Sequence, residues 1–203
     1  NIRNGGITLI EVSDNGSGME SEDLGLAFCR HATSKLNTIE DLNTIVTMGF
    51  RGEALSSIAS VSKVTLRSRK IMSDKGYMIT VEGGEIISEG PASVNEGTNI
   101  TVESLFYNTP ARYKFLKKDS TEASYITDIV ERAVLARPDV SFRLVSDGKE
   151  ILHSPGNNDL KSAIFAVYGK DVTSSVLPVE YSSSGITVSG YSGRPSLSRK
   201  TRQ

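Results

Sequence analysis

The chain has 203 residues, of which 37% are hydrophobic and 23% are charged, and its formal net charge is -1. This composition is typical of a globular protein with one large domain, or with one domain and part of a second. No apolar stretch is long enough to span a bilayer and no basic leader precedes an apolar segment, so we expect neither membrane insertion nor secretion. The single cysteine, Cys29, excludes an intrachain disulfide and fits a reducing compartment.

The first 60 residues consist of short predicted elements separated by glycine-containing breaks. Apolar and polar residues alternate over 7–13, which predicts a strand that the break at 14–19 ends. Ser21 is predicted to cap a short helix whose apolar face is Leu24, Ala27 and Phe28. Thr38 is predicted to cap a second helix, and residues 53–60 form a third with Ala54, Leu55 and Ile58 facing inward.

Strands predominate from residue 64 to residue 105. We predict a strand at 64–68, a hairpin of residues 77–81 and 85–88 around Gly83-Gly84, and a strand at 99–105. The longest predicted helix follows at 121–137 and ends at Pro138. Its apolar stripe consists of Ile126, Ile129, Val130, Ala133 and Val134.

A second hairpin is predicted at residues 140–153 around the turn Asp147-Gly148. Residues 154–159 have the composition of a linker, and a helix at 160–168 and strands at 175–179 and 185–190 follow. This order of elements predicts an α+β two-layer α/β sandwich over residues 1–154. Residues 155–203 are too few for a core of their own, so we predict that they begin a second α+β domain.

The first candidate site is the break after the first strand. Asp14 at a strand end is held rigidly and can accept a hydrogen bond from a ligand amine, while Gly16 and Gly18 let the backbone approach a flat ring. An ordinary turn between two strands is an equally good interpretation of this motif alone. The helix predicted after it argues against a hairpin.

The second candidate site is a glycine-bounded loop that leads into a helix. Unpaired backbone N–H groups and the helix dipole make such a loop an anion site, although a simple turn would have the same sequence. No Walker A loop and no G-x-G-x-x-G fingerprint occurs. The loop consists of Gly49, Phe50, Arg51, Gly52, Glu53, Ala54 and Leu55.

A polar loop lies between the two candidate sites. Thr33 and Ser34 could donate hydrogen bonds to phosphates and Lys35 could counter their charge, whereas in isolation the loop is typical of a mobile surface segment. Two basic clusters occur elsewhere, and charge alone favours solvated surface faces for both. They are Arg112, Lys114, Lys117 and Lys118, and Arg194, Arg199, Lys200 and Arg202.

The order and spacing of five motifs resemble the MutL family of DNA mismatch repair proteins, within the GHKL class of ATPases. The motifs are DNGSGM (14–19), HATSK (31–35), GFRGEAL (49–55), Gly97-Thr98 and NTPARYKFL (108–116). The resemblance implies a GHKL (Bergerat) sandwich followed by the start of a domain like domain 2 of ribosomal protein S5. It also implies ATP and Mg²⁺ as cofactors.

The resemblance implies a role for each matched residue. Asp14 would bind the adenine amino group, with Gly16 and Gly18 near the ring and Thr98 assisting through water. Thr33, Ser34 and Lys35 would form part of a lid, and residues 49–55 would surround the phosphates. Arg112 and Lys114 would lie in the family's conserved loop, and contact with DNA stays open for both.

The family's water-activating glutamate and magnesium-binding asparagine belong to a helix upstream of the first predicted strand. We therefore expect residues 1–203 to be a fragment that contains no catalytic base and no protein ligand to the metal. Glu53 is a weak substitute for the base, because an acid at a helix start complements the dipole. A Cys29, His31 and Asp14 set and a histidine metal cluster are disfavoured, since Cys29 is typical of packing and only two histidines occur.

The resemblance implies a protein that couples ATP to DNA mismatch repair. ATP would order the lid between residues 29 and 49 and drive N-terminal pairing in a homodimer or heterodimer. DNA and a mismatch-recognition protein of the MutS type are the implied partners, in the bacterial cytoplasm at the nucleoid or in a eukaryotic nucleus. The alternative function is a DNA-binding scaffold whose nucleotide site is regulatory or does not hydrolyse ATP.

Overall fold

The computed structural model describes residues 1–29 and 52–197. The contacts divide the chain into two compact units, Asn1–Ala123 and Ser124–Gln203. The helix predicted after Thr38 lies outside the described residues, as do several site residues. These are Thr33, Ser34, Lys35, Gly49, Phe50, Arg51, Arg199, Lys200 and Arg202.

An antiparallel sheet forms most of the first unit. Its described strands are β1 (Ile2–Arg3), β2 (Leu9–Asp14), β3 (Lys63–Arg69), β4 (Gly76–Glu82), β5 (Glu85–Ala92) and β6 (Gly97–Glu103). They lie in the order β5-β4-β3-β6-β2-β1. The strand β6 therefore lies between β2 and β3 although it follows both in sequence, and it brings distant chain segments side by side.

In the part of the chain that the structure describes, two helices cover one face of this sheet, α1 (Ser21–Leu26) and α2 (Ala54–Ala59). The alternation in β3 buries Val64 and Leu66 completely, and both pack in one core with Leu24 of α1 and Ala59 of α2. The intervening side chains of β3 are only partly buried. The predicted α+β arrangement of a helical layer on an antiparallel sheet is confirmed.

Two details of the predicted helices were wrong. Ser21 is the first residue of α1 and not its cap, because Glu20 has the extended N-cap backbone, although its side chain makes no capping hydrogen bond. In α2 the predicted inward residue Ala54 is exposed at the helix start, and Ala59 is buried instead. The predicted inward positions of Leu55 and Ile58 are confirmed, since both pack against the core.

Two further helices follow β6, α3 (Pro110–Tyr113) and α4 (Asp119–Ala136). The second unit continues with β7 (Arg143–Ser146), β8 (Lys149–His153), α5 (Leu160–Thr173), β9 (Val176–Ser183) and β10 (Ile186–Gly193). The pair β7–β8 is an antiparallel hairpin, as predicted. The strands β9 and β10, which were predicted without a pairing, also pair antiparallel. None of the described helices combines the length and apolar character that a bilayer crossing requires.

The core of the second unit consists of Val134, Leu144, Leu152 and Ala163. Ile126 and Val130 of α4 pack against it as predicted, whereas Ile129 is 66% exposed. Neighbouring helix positions differ by about 100°, so Ile129 lies on the flank of the stripe that Val130 centres.

Residues 154–159 are not the free linker that their composition suggested. The Ser154 side chain accepts a hydrogen bond from Phe142 N (3.0 Å), and Asn158 N donates to Pro138 O (2.9 Å). Gly156 has a φ of +67° and lies against the Ser141 backbone. Polar side chains and a positive φ here attach the segment to residues 138–142. The domain boundary predicted after residue 154 stays a prediction.

The helix α5 begins with a charged cap that makes its stability depend on pH. Asp159 accepts hydrogen bonds from Ser162 Oγ (2.6 Å) and from the backbone N–H groups of Lys161 (3.1 Å) and Ser162 (3.0 Å). These bonds, the one from the Ser162 hydroxyl first, hold the pKa of Asp159 below its ordinary value. The cap therefore stabilises the folded chain above the ordinary aspartate pKa and is lost as pH falls through the lowered folded pKa.

We expect Asp159→Ala to lower the thermal midpoint at neutral pH, because two backbone donors lose their acceptor. The difference in thermal midpoint between this variant and the wild type should shrink as the pH falls through the folded pKa of Asp159. Circular dichroism melts at a series of acidic pH values measure this difference. Asp171→Ala removes an exposed aspartate of the same helix that makes no described capping bond, and it should melt near the wild type. An equal effect of both variants would contradict the capping role.

Candidate functional site

The carboxylate of Asp14 is fixed at the end of β2. Asp14 pairs with Thr98 of β6, and its Oδ1 accepts hydrogen bonds from Gly16 N (2.8 Å) and Thr98 N (3.3 Å). The side chain is exposed, and within residues 1–29 and 52–197 its Oδ2 has no hydrogen-bond partner. The structure thus holds one anionic oxygen in place and leaves the other for a ligand donor.

Glycine is required at two positions beside this carboxylate. Gly97 has a φ of +103°, and a Cβ there would collide with the Asp14 carbonyl. Gly18 has a φ of +68°, and a Cβ there would collide with the Arg69 carbonyl. The backbone of β6 and of the 14–19 turn can therefore approach its neighbours only because both side chains are absent.

Ser68 is a site residue that the sequence analysis missed. It is fully buried; its hydroxyl donates to Gly97 O (2.9 Å), accepts from Met19 N (2.9 Å) and lies 3.1 Å from Thr98 Oγ1. One side chain thus links the turn after β2 to the start of β6. The available signal was the strand alternation, which places Ser68 on the same buried face as Val64 and Leu66.

Two more contacts fix the turn to the end of β3. Ile71 N donates to Ser17 O (3.0 Å), and Lys70 Nζ lies 2.8 Å from Glu20 Oε1. The hydrogen bond and charge of Glu20 raise the pKa of Lys70 above its ordinary value. Because Lys70 and Glu20 are about half exposed, we assign this ion pair a positioning role and little stability.

The described part of the second candidate site stands at the start of α2. Gly52 has a φ of +62°, and Glu53 is the N-cap residue, whose side chain makes no capping hydrogen bond. Leu55 packs in the same core cluster as Ile10 and Met19. The residues 52–55 and the turn after β2 therefore lie on the same helix-covered face of the sheet.

The structure brings Asp14, Gly16 and Thr98 together through hydrogen bonds and places Gly18 at the same turn. Arg112 and Lys114 lie elsewhere, exposed in and directly after α3. Among the described residues no group of three or more His, Cys, Asp or Glu side chains is arranged to hold a metal ion. Cys29 is exposed, so the predicted packing role for its side chain was wrong.

Comparison with known proteins identifies relatives along the whole chain, although no family model matches. The chain is 46% identical to the DNA mismatch repair protein MutL of Desulforudis audaxviator over 202 residues, which are 100% of this chain and 36% of the relative. It is 47% identical to MutL of Clostridium tetani over 201 residues, which are 99% of this chain and 32% of that protein. The chain thus spans about a third of the length of the curated relatives it matches.

Solved structures show the same fold. The Aquifex aeolicus MutL ATPase domain complexed with ADP superimposes with a TM-score of 0.73 at 31% identity, covering 100% of this chain and 68% of that chain. The N-terminal domain of a DNA repair protein gives a TM-score of 0.71 at 25% identity, covering 89% of this chain and 53% of that chain.

The helix-covered antiparallel sheet, with a fixed aspartate where β2 ends, has the fold of the GHKL class of ATPase domains. The similarity to the MutL proteins named above identifies one family within this class. The chain belongs to the MutL family of DNA mismatch repair proteins. The fold class and the family that the motifs indicated are confirmed, and the second domain like ribosomal protein S5 domain 2 stays a prediction.

Proposed function

We propose that this chain is the ATP-binding part of a mismatch repair ATPase of the MutL type. The observation that carries the proposal is the Asp14 carboxylate, whose Oδ1 is fixed by two backbone donors while Oδ2 has no described partner. Such an oxygen suits the amino group of adenine, because a charged acceptor makes a strong hydrogen bond to a neutral donor.

The remaining residues of the predicted site are assigned by their place in the motifs. Gly16 and Gly18 let the adenine ring approach the turn, and Thr98 assists Asp14 through water. Thr33, Ser34 and Lys35 belong to a lid over the phosphates. Residues 49–55 surround the phosphates with backbone amides at the start of α2, where the helix dipole favours an anion.

ATP and Mg²⁺ are the proposed cofactors, and a solved relative that is similar along this whole chain carries ADP. The adenine end fits, because Gly97 and Gly18 allow the close backbone approaches to Asp14 and Arg69 that hold the turn with the Asp14 carboxylate. The described residues do not assemble a carboxylate set for the metal. We therefore assign no protein ligand to Mg²⁺ and derive no step through it.

In the whole protein, ATP closes the lid and drives pairing of two N-terminal regions, as a homodimer or with a MutL-like partner. The paired state then connects a MutS-type mismatch-recognition protein on DNA to downstream repair enzymes. ATP acts by contacting the closed state better than the open one. Since the relatives are bacterial DNA repair proteins, we place this activity in the cytoplasm, at the nucleoid.

Hydrolysis requires a positioned base. The family resemblance assigns the water-activating glutamate to a helix before the first strand motif, and it assigns that role to none of residues 1–203. The N-cap position of Glu53 supports a structural role for that residue. We therefore propose that residues 1–203 alone hydrolyse little ATP, and turnover equal to that of the full-length protein would contradict this.

Hydrogen exchange with and without ATP tests the switch in the full-length protein. We expect ATP to slow exchange in residues 30–55, because lid closure orders their backbone. Residues 143–153, which form the hairpin β7–β8, serve as the internal reference. Unchanged exchange in residues 30–55 together with nucleotide-independent DNA binding would favour the scaffold function instead.

A further inference from the structure

A row of three polar side chains crosses the sheet beside the proposed nucleotide site. Asp14 of β2 and Ser68 of β3 are both paired with Thr98, which lies between them in β6. Directly paired residues of antiparallel strands point to the same face, so the three side chains stand next to one another. Asp14 is exposed, Thr98 is 8% exposed and Ser68 is completely buried. The row therefore leads from an exposed carboxylate to a buried hydroxyl.

The hydroxyl of Ser68 uses its whole hydrogen-bonding capacity. A serine hydroxyl has one proton to donate and two lone pairs that accept. The proton goes to Gly97 O (2.9 Å), because a carbonyl oxygen only accepts, and one lone pair accepts from Met19 N (2.9 Å). The other lone pair is left for Thr98 Oγ1, which lies 3.1 Å away. Thr98 is therefore the donor in this contact, and its one hydroxyl proton is directed at Ser68.

The direction of this proton decides what Thr98 offers to a ligand. With its proton bound to Ser68, the Thr98 hydroxyl has only lone pairs left for the site, so a water that binds there must donate to it. The second proton of that water is then available to an acceptor on the base. The free carboxylate oxygen of Asp14 requires a donor instead. The site thus fits a base that carries a donor next to an acceptor.

The two common types of purine present these groups in opposite order. Adenine has a donor at its 6-amino group and an acceptor at N1, whereas a 6-oxopurine has an acceptor at O6 and a donor at N1–H. A 6-oxopurine could match both positions only with its ring turned over, which would displace the ribose. Because polar groups left unmatched in a binding site cost affinity, the site should reject 6-oxopurines.

We propose that Ser68 is a positioning residue that sets the base specificity of the nucleotide site, selecting 6-aminopurines over 6-oxopurines by fixing the Thr98 proton. The inference rests on the proposed function and adds to it a residue that acts through Thr98 and touches no ligand. Ser68 lies outside the five motifs that resemble the MutL family, so those motifs assign it no role.

The ratio of ADP affinity to inosine diphosphate affinity tests this role in the full-length protein, by isothermal titration calorimetry with Mg²⁺. The two ligands differ only at C6 and N1 of the base. We expect Ser68→Ala to lower the ratio about 2- to 10-fold, because the released Thr98 hydroxyl can also donate and one directed hydrogen bond is lost. Ser68→Cys fills the position with a weak donor and should lower the ratio as well. Ser68→Thr keeps the hydroxyl and should keep the ratio near that of the wild type.

Ser62→Ala is the matched control for the loss of a buried hydroxyl. Ser62 is also completely buried, and its hydroxyl donates to Ile58 O (2.6 Å), outside the proposed site. Both alanine variants should melt at a lower temperature than the wild type, because each loses buried hydrogen bonds. Only Ser68→Ala should change the ratio of the two affinities.

A double-mutant cycle shows whether Ser68 acts through Thr98. Thr98→Val removes the Thr98 hydroxyl at similar volume and leaves the bonds of Ser68 to Gly97 and Met19 in place. In the Thr98→Val background, we expect Ser68→Ala to leave the affinity ratio unchanged, since no hydroxyl proton remains to be fixed. A purely structural effect of Ser68→Ala would lower the ratio in both backgrounds.

Several outcomes would overturn the inference. They are an unchanged ratio in Ser68→Ala and Ser68→Cys, an equal fall of the ratio in Ser62→Ala, additive effects in the cycle, and equal affinity of the wild type for both diphosphates. A wild type that binds neither diphosphate would reject the proposed function as well. A wild type that binds ADP while any of the other outcomes occurs would reject the role of Ser68 alone, so the two failures are distinguishable.

Discussion

Asp14→Asn should reduce ATP affinity roughly 10- to 100-fold, because a hydrogen bond to a charged group contributes about 1.5–3 kcal/mol. The asparagine keeps an oxygen for the N–H groups of Gly16 and Thr98. Its NH₂ group, however, replaces Oδ2 and would face the adenine amino group donor to donor. Isothermal titration calorimetry of the full-length protein with ATP and Mg²⁺ measures the loss.

The melting temperature of the Asp14→Asn protein should change little, since both backbone donors remain satisfied. Asp74→Asn is the matched control, because it removes the same charge from an exposed aspartate in the turn before β4. If Asp14→Asn and Asp74→Asn bind ATP equally well, Asp14 does not recognise the base and the proposed nucleotide site is wrong.

Gly97→Ala should destabilise the fold and the site together. A φ of +103° strains any residue with a Cβ, at a cost of about 1–3 kcal/mol, and the new methyl group would collide with the Asp14 carbonyl. Overpacking of this kind costs roughly 1–3 kcal/mol more. We expect a loss of about 2–6 kcal/mol in the free energy of unfolding by urea titration, together with weaker ATP binding.

Gly185→Ala separates the backbone strain from the collision of the new methyl group. Gly185 also has a positive φ, +79°, but no atom lies within 4 Å of the position that its Cβ would occupy. The free energy of unfolding of this variant should therefore fall only by the cost of the strain, and its ATP affinity should be unchanged. If both variants lose the same stability, the collision at the close approach of β6 to β2 adds nothing to the destabilisation by Gly97→Ala.

The elements that the sequence predicted well are those governed by local rules. The turn Gly83-Gly84 has φ values of +59° and +93°, and Asp147-Gly148 has +49° and +81°, as two-residue hairpins require. The alternation in β3 correctly indicated its buried face. In each case the conformation depends on residues adjacent in the chain, so a single sequence suffices to predict it.

The predictions that were wrong concern positions whose environment depends on tertiary packing and not on local rules. Ser154 was interpreted as part of a linker because its neighbours are polar, yet it is buried and bonded to Ser141 and Phe142. Ile129 was assigned to a buried stripe, yet it is exposed. Both outcomes depend on what packs against the segment, and polarity and helical periodicity contain only part of that information.

By itself the sequence determined that a rigid aspartate would stand at a strand end, that glycines would surround it, and that the motif order is that of MutL proteins. Only the tertiary structure decided how this aspartate is held. The order β3-β6-β2 places Ser68 and Thr98 beside the turn at Asp14, although they are 54 and 84 residues further along the chain. Hydrogen bonds between such distant segments follow from strand pairing across the sheet, which local sequence patterns do not encode.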